Sequence, residues 1–311
     1  MAKSSRPINR PAPSKGPVRG GRPAGLFTWL AVGLVVVVVA GLVIIKVASG
    51  GSTGGGSTSF QPTDSTTFNE LTKVPASVFN TVGVTSTAVG VTPPQAEKAQ
   101  PLLTEKSAFG TTVPEVLYIG AEYCPYCAAQ RWSTIIALSR FGTWAGLGNM
   151  TSSSTDQYPN TPTFTFAKAT FKSKYVAFSG VEEFKNYIDA ATSNYATLQT
   201  PTRAQSALIT KYDTPKYVTG LTAAEAGSIP FIDFANQFLV AGASYSPTTL
   251  AGSSRSAIAA GLSSAASPIT AAIISSANYQ SAAICSITKQ LPSSVCTSSG
   301  VKAADKVMAI K

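Results

Sequence analysis

Hydrophobic and polar positions fall into three patterns along this 311-residue chain. The first is a single unbroken apolar run. Leu26 to Ile45 carries no charge over 20 residues and includes Val35-Val36-Val37-Val38-Val39. A helix of about 20 apolar residues crosses a hydrocarbon core of about 30 Å, so residues 26–46 are predicted to span a membrane. The apolar region of a secretory signal is shorter, roughly 7–15 residues, and ends in a small-x-small cleavage site. Val47-Ala48-Ser49 fits such a site poorly, which favours an uncleaved anchor.

The second pattern is that of strands. Val116-Leu117-Tyr118-Ile119-Gly120 is short, apolar and uncharged, as a buried strand is. Thr163–Ala167 alternates with period two, and Tyr175–Phe178 follows it, as a hairpin or as one strand with an extended arm. Pro101–Thr104 is expected to form the first strand. Ser228–Phe234, a strand-like run that contains Pro230, and Gln237–Gly242 read as an antiparallel pair.

The third pattern is helical. Ala128 to Arg140 places Trp132, Ile135 and Ile136 on one side, with Arg131 and Arg140 elsewhere, and Gly142 is a stop signal. Pro75 starts a short helix. Ser179 can cap a helix through Val181–Ile188, and Thr200-Pro201 opens another that runs to about Tyr212. Residues 180–227 are therefore expected to be a mostly helical insertion. Ser246-Pro247 starts a helix reaching Leu262, and residues 268–284 form one leading to Cys285. The predicted class is α/β, a central mixed sheet flanked by helices.

Charge refines the domain plan. The net charge is +10, and Lys3, Arg6, Arg10, Lys15, Arg19 and Arg22 supply six of it within residues 1–25, where there is no acid. Lys46 supplies another, so the remainder is only mildly basic and gives nucleic-acid binding no support. By the positive-inside rule the N-terminus is cytoplasmic and the bulk extracytoplasmic. The expected order is a disordered basic tail over 1–25, a membrane helix over 26–46, a flexible Gly/Ser/Thr linker over 47–66, and one extracytoplasmic domain over 67–311. Charged residues make up only 12% of the chain.

Chemistry narrows sharply. There is no histidine, which excludes Ser-His-Asp and Cys-His catalysis and imidazole metal ligation. There are four cysteines. Two of them form Cys124-Pro125-Tyr126-Cys127, between the apolar strand and the helix that begins near Ala128. The start of a helix offers unpaired N–H groups and the positive end of the dipole, which favour a thiolate at Cys124. Pro125 suits the first turn, where its missing N–H has no partner to lose. Cys127 can then resolve a mixed disulfide. Cys124 is expected as the exposed nucleophile, Cys127 as the deeper thiol. A lone C-x-x-C can also be half a zinc site or a structural disulfide, and the flanking strand and helix argue against both. Cys285 and Cys296, 11 residues apart, read most simply as a structural disulfide, with a relay redox pair as the alternative.

Ala121-Glu122-Tyr123-Cys124-Pro125-Tyr126-Cys127 resembles the active-site turn of the thioredoxin superfamily, and its Pro-Tyr dipeptide resembles that of glutaredoxins. The longer string from Ile119 to Trp144 is similar to the domain-of-unknown-function 929 family of membrane-anchored thioredoxin-like proteins, a likeness that covers roughly residues 70–311. The resemblance implies a thioredoxin-like sheet, Pro230 as a cis-proline beside the cysteines, and Ile229 and Tyr126 in contact with substrate. It implies thiol–disulfide exchange with protein thiols or disulfides outside the membrane, no metal or organic cofactor, and a membrane redox partner for turnover. The chain departs from the thioredoxin pattern at Tyr118, where thioredoxins bury a carboxylate, and Glu122 near the turn is expected to be solvated. Tyr126 stands where strongly oxidising periplasmic enzymes carry His. The rival function is a non-catalytic binding or chaperone module with structural disulfides. A cell-envelope structural role ranks last.

Overall fold

The computed structural model describes residues 60–84, 90–97 and 101–310. The basic tail, the predicted span over 26–46 and most of the linker lie outside the described residues. No helix among the described residues is long and apolar enough to cross a membrane.

In chain order the elements are β1 (Gln61–Pro62), α1 (Ser65–Thr72), α2 (Ala76–Val82), β2 (Gln95–Ala96), β3 (Thr104–Lys106), β4 (Thr112–Gly120), α3 (Pro125–Ser139), β5 (Gly142–Ala145) and β6 (Gly148–Thr151). There follow β7 (Pro162–Thr165), β8 (Thr170–Ser173), β9 (Ala177–Glu182), β10 (Phe184–Asp189), β11 (Asn194–Thr197) and α4 (Arg203–Tyr212). The chain closes with β12 (Phe231–Phe234), β13 (Phe238–Ala241), a 3-10 turn at Pro247–Leu250, α5 (Arg255–Gly261), α6 (Pro268–Ile287), α7 (Ser293–Cys296) and α8 (Ser299–Met308).

The central strand is β4. On one side it pairs antiparallel with β12, which pairs antiparallel with β13, and β2 completes that edge. On the other side β3 pairs with its first residues, and β9 runs parallel beside Glu115–Gly120. The result is a mixed sheet covered on both faces. Because side chains alternate along a strand, Val116, Tyr118, Ile232 and Phe234 face the main core under α3 and α6. Leu117, Ile119, Phe231 and Leu239 face a smaller cluster closed by Tyr212 and Val218. Burial on both faces explains why β4 reads as one apolar run rather than an alternation.

Helix α3 differs from its expected one-sided burial. All of Cys127–Leu138 is buried, including Gln130, Arg131, Ser133 and Thr134. The polar members are tolerated because they are bonded. Thr134 donates to Gln280 Oε1 at 3.0 Å, Gln280 donates to Ser133 Oγ at 2.9 Å, and the Ser244 N–H donates to Gln130 Oε1 at 2.8 Å. The first two bonds cross to α6, whose Ser276, Asn278 and Ser281 are likewise buried.

The mostly helical insertion expected over 180–227 is corrected. Val181 and Glu182 end β9, Phe184–Asp189 and Asn194–Thr197 form an antiparallel hairpin, and only Arg203–Tyr212 is an α-helix of any length. Ser179 therefore caps nothing. It sits inside β9, opposite Leu117. The ladder to β4 takes up the backbone groups that a helix would need. Gly180 also lets β9 approach its neighbours, since a Cβ there would stand 2.9 Å from Phe166 Cβ. Helix α4 does form, with a capping box between Thr202 and Gln205.

The 163–167 and 175–178 segments do not form a hairpin with each other. β7 pairs with β6, and the second segment leads into β9. Two strands, β5 and β6, occupy the stretch that begins at Gly142 and runs into the polar region after Gly146. The helix expected from Pro247 to Leu262 breaks at Ala251–Ser254.

Candidate functional site

β4 delivers the chain to a three-residue turn, Ala121-Glu122-Tyr123, and Cys124 then caps α3. Its Sγ accepts the Cys127 N–H at 3.1 Å. This is an N-cap made by sulfur: one of the four unpaired donors of the first turn points at it, and the dipole adds to the attraction for negative charge. Pro125 occupies the first turn as its chemistry suggests. Cys124 and Cys127 are both free thiols.

Across the turn, Cys124 Sγ lies 3.8 Å from the Ile229 carbonyl oxygen, to which the thiol donates. The Ile229–Pro230 peptide bond is cis, as is Leu291–Pro292. β12 begins one residue after Pro230, and the Pro230 carbonyl accepts the Gly242 N–H at 2.9 Å, which holds the segment against β13. Tyr126 is half-buried, its hydroxyl 3.3 Å from Gln157 Oε1 and its ring edge-on to Tyr158. Cys124, Tyr126 and Ile229 line one cleft of about 420 Å³, while Cys127 lies behind Cys124, fully buried, and Pro230 follows Ile229 outside the lining.

The expected exposure of Cys124 is corrected. Only 5% of the residue is accessible, against 0% for Cys127. Tyr123, Tyr126, Phe184 and Ile229 pack against the pair and leave the first sulfur at the floor of the cleft. Glu122 is corrected too. It is 6% exposed, takes a hydrogen bond from Thr165 Oγ1 at 2.6 Å, and burial raises its carboxyl above the ordinary range.

A buried cation lies one turn beneath the thiols. Arg131 is four residues beyond Cys127, which places both on one helix face. It is fully buried and forms a two-pronged ion pair with Glu182 of β9, with Nε to Oε1 at 2.8 Å and Nη2 to Oε2 at 2.6 Å. Nη2 also donates to the Ala121 carbonyl at 2.6 Å, and Ala121 packs on both cysteines. Burial works against the guanidinium charge, but the Glu182 carboxylate outweighs it and holds Arg131 charged.

This setting pulls the two thiols apart. For Cys124, burial opposes ionisation most strongly. The bonds from the Cys127 thiol and N–H, the Arg131 charge and the Tyr126 N–H together outweigh it, and the net effect lowers its pKa. For Cys127, burial and then the bond and charge of Cys124 raise it well above the ordinary thiol range. One sulfur is prepared to ionise and the other to keep its proton.

Tyr118 lies beside Arg131, whose guanidinium carbon is 5.8 Å from its ring centre. Its buried hydroxyl has no hydrogen-bond partner among the described residues. A Cβ at Gly120 would collide with that hydroxyl, so the glycine is a steric requirement of the turn.

Cys285 and Cys296 are disulfide-bonded, with Cα atoms 5.6 Å apart, and they belong to the main core rather than to the cleft. Among the described residues no group of three or more His, Cys, Asp or Glu side chains could hold a metal ion.

Sequence reasoning missed Arg131 as a site residue, although its i+4 spacing from Cys127 was a usable signal. It had no signal for Glu182, whose role depends on the β4–β9 pairing, or for Tyr195, whose ring stacks on Tyr123 at 4.0 Å and 4°.

Fold and site together define a mixed α/β protein with a helix-capping dithiol over a buried ion pair. The family model described as Domain of unknown function (DUF929) matches residues 106–286, and the chain belongs to that family. No curated protein and no solved structure matches it.

Proposed function

We propose that this is a thioredoxin-like thiol–disulfide oxidoreductase, tethered to the membrane through residues 26–46 and working on extracytoplasmic proteins. The observation that carries the reading is the position of one sulfur. Cys124 Sγ receives a helix N-terminal N–H at 3.1 Å and faces the Ile229 carbonyl at the floor of an open cleft.

In the reducing direction the Cys124 thiolate attacks one sulfur of a substrate disulfide. That bond breaks, the far sulfur leaves as a thiolate and takes up a proton, and a Cys124–substrate disulfide forms. Cys127 then loses its proton and attacks Cys124, releasing the second substrate thiol. Two electrons pass from the dithiol to the substrate. The oxidising direction is the reverse. A membrane redox partner of either sense restores the starting form. Ile229 presents backbone to the substrate chain, and Tyr126 flanks it.

The near-burial of Cys124 favours a second reading, a thioredoxin-like binding or chaperone module whose cysteines only lock the turn. Two measurements separate them. The full chain with Cys127→Ser should accumulate mixed disulfides through Cys124, and Cys124→Ser should accumulate none. The dithiol potential should lie above about −300 mV, where labile and catalytic disulfides lie. A lower potential with no trapped species establishes the second reading.

A further inference from the structure

We propose that the polypeptides exchanging disulfides with Cys124 carry lysine or arginine beside the reacting cysteine, received by an acidic, aromatic-walled groove. This rests on the oxidoreductase reading above.

Two clefts adjoin at Tyr123 and Phe184. One, of about 420 Å³, holds Cys124, Tyr126 and Ile229. The other, of about 530 Å³, lies against the β10–β11 hairpin and is bounded by Tyr195 and Asn194. Tyr123 and Phe184 line both and Cys124 lines the first, so a chain seated at the sulfur has the second cleft beside it.

Its charge runs against that of the chain. The protein has 24 basic and 14 acidic residues, yet Asp156 and Glu183 line the first cleft and Asp189 the second, with no lysine or arginine lining either. Lys185, next to Phe184 in sequence, is engaged with the Tyr187 hydroxyl at 3.2 Å. None of the three carboxylates is in an ion pair among the described residues, where Arg131–Glu182 and Lys302–Asp305 are the pairs formed. Asp156 and Asp189 accept N–H groups from Gln157 and Ala191, which orient them without neutralising them. A cleft walled by one sign of charge concentrates the opposite sign.

The walls suit the same guest. Long basic side chains lay their carbon stems along aromatic surface and hold a cation near it. Tyr123 stacked on Tyr195, with Phe184 tilted 6.2 Å from Tyr123, supplies that surface beside the carboxylates. Acidic or purely apolar flanking residues gain nothing from the acids.

The test uses the reduced full-length chain in single turnover against three symmetrical peptide disulfides whose cysteines are flanked by Lys/Arg, by Ser/Ala or by Glu. Neutral hydroxyethyl disulfide is the reference. Relative to that reference, the basic peptide should react at least about tenfold faster than the acidic one at low salt. The ratio should fall toward one in about 0.5 M salt, where exposed charges are screened. It should also collapse in an Asp156→Asn, Glu183→Gln, Asp189→Asn triple variant. Equal rates for the three peptides overturn the inference and leave the oxidoreductase reading intact. A preference unchanged by the triple substitution belongs to the thiolate itself and overturns the groove. No reaction with any disulfide, the neutral one included, overturns both.

Discussion

The Cys124–Cys127 and Cys285–Cys296 pairs differ little in burial, since none of the four residues is more than 5% exposed. They differ in what surrounds the sulfur. Cys285 and Cys296 sit among the apolar side chains of α6, α7 and α8, where a covalent bond is the natural partner for each sulfur. Cys124 instead has a helix N–H, a backbone carbonyl and a buried cation within its reach. Burial alone therefore does not distinguish the two settings. The placement of donors around the sulfur does.

The largest expected effect comes from removing the cation. Arg131→Met leaves Glu182 buried without its partner, and breaking such a pair costs about 3–5 kcal/mol. Arg131→Met with Glu182→Gln should recover most of that loss, because Gln keeps the acceptor that takes the Phe166 N–H at 3.1 Å. In both proteins the Cys124 pKa should rise, read from the pH dependence of ultraviolet thiolate absorbance. A double variant that regains stability while Cys124 titrates as in the parent would make Arg131 merely structural, and the contrast between the two pairs would lose its electrostatic part.

A somewhat smaller effect is expected at the other pair. Replacing Cys285 and Cys296 by Ala opens a loop spanning 11 residues and should lower stability by about 3 kcal/mol, measured by denaturant unfolding. The Cys124 titration should not move. If thiol exchange is lost while the stability is kept, the second pair is a relay and the two pairs are one system.

How far the sequence revealed this depends on the range of the interactions involved. The Val116–Gly120 run, the cysteine turn and the start of α3 were legible because each is set within a few residues: an apolar strand, an N-terminal Pro, a helix-forming sequence. The pairing of β12 with β13 was legible for the same reason. Glu122 was misread as solvated and Arg131 was missed as a site residue, since a charged side chain on a short segment defaults to solvent. Their burial depends on Glu182 and Thr165, some 40 to 50 residues away. The β10–β11 hairpin was misread as helix because Val181-Glu182-Glu183-Phe184-Lys185 has good helix formers. Val181 and Glu182 are held in β9 by its long-range parallel pairing with β4, and Phe184–Asp189 pairs instead with Asn194–Thr197. The carboxylates of the groove come from three loop and hairpin positions that no spacing connects.

The smallest effect tests whether buried charge elsewhere follows the logic found at the dithiol. Glu97 and Asp233 are fully buried close to one another. Burial first, then the charge of Asp233, pushes Glu97 up to about 9, and burial pushes Asp233 up to about 6. Between the ordinary carboxyl range and about 9 the folded protein holds a proton at Glu97 that the unfolded chain has released, so stability falls as pH rises through that window. Cys124 has the opposite sign: its lowered pKa contributes stability above the ordinary thiol pKa that is lost as pH falls through the folded value. Glu97→Gln removes only the first slope. Its Tm should match the parent near pH 4 and exceed it by on the order of 2–4 °C near pH 5, a gap that widens as pH rises further. A parallel offset at every pH would mean that Glu97 titrates alike in both states. The pair would then not share the dithiol's dependence on how donors and charges are placed around a buried group.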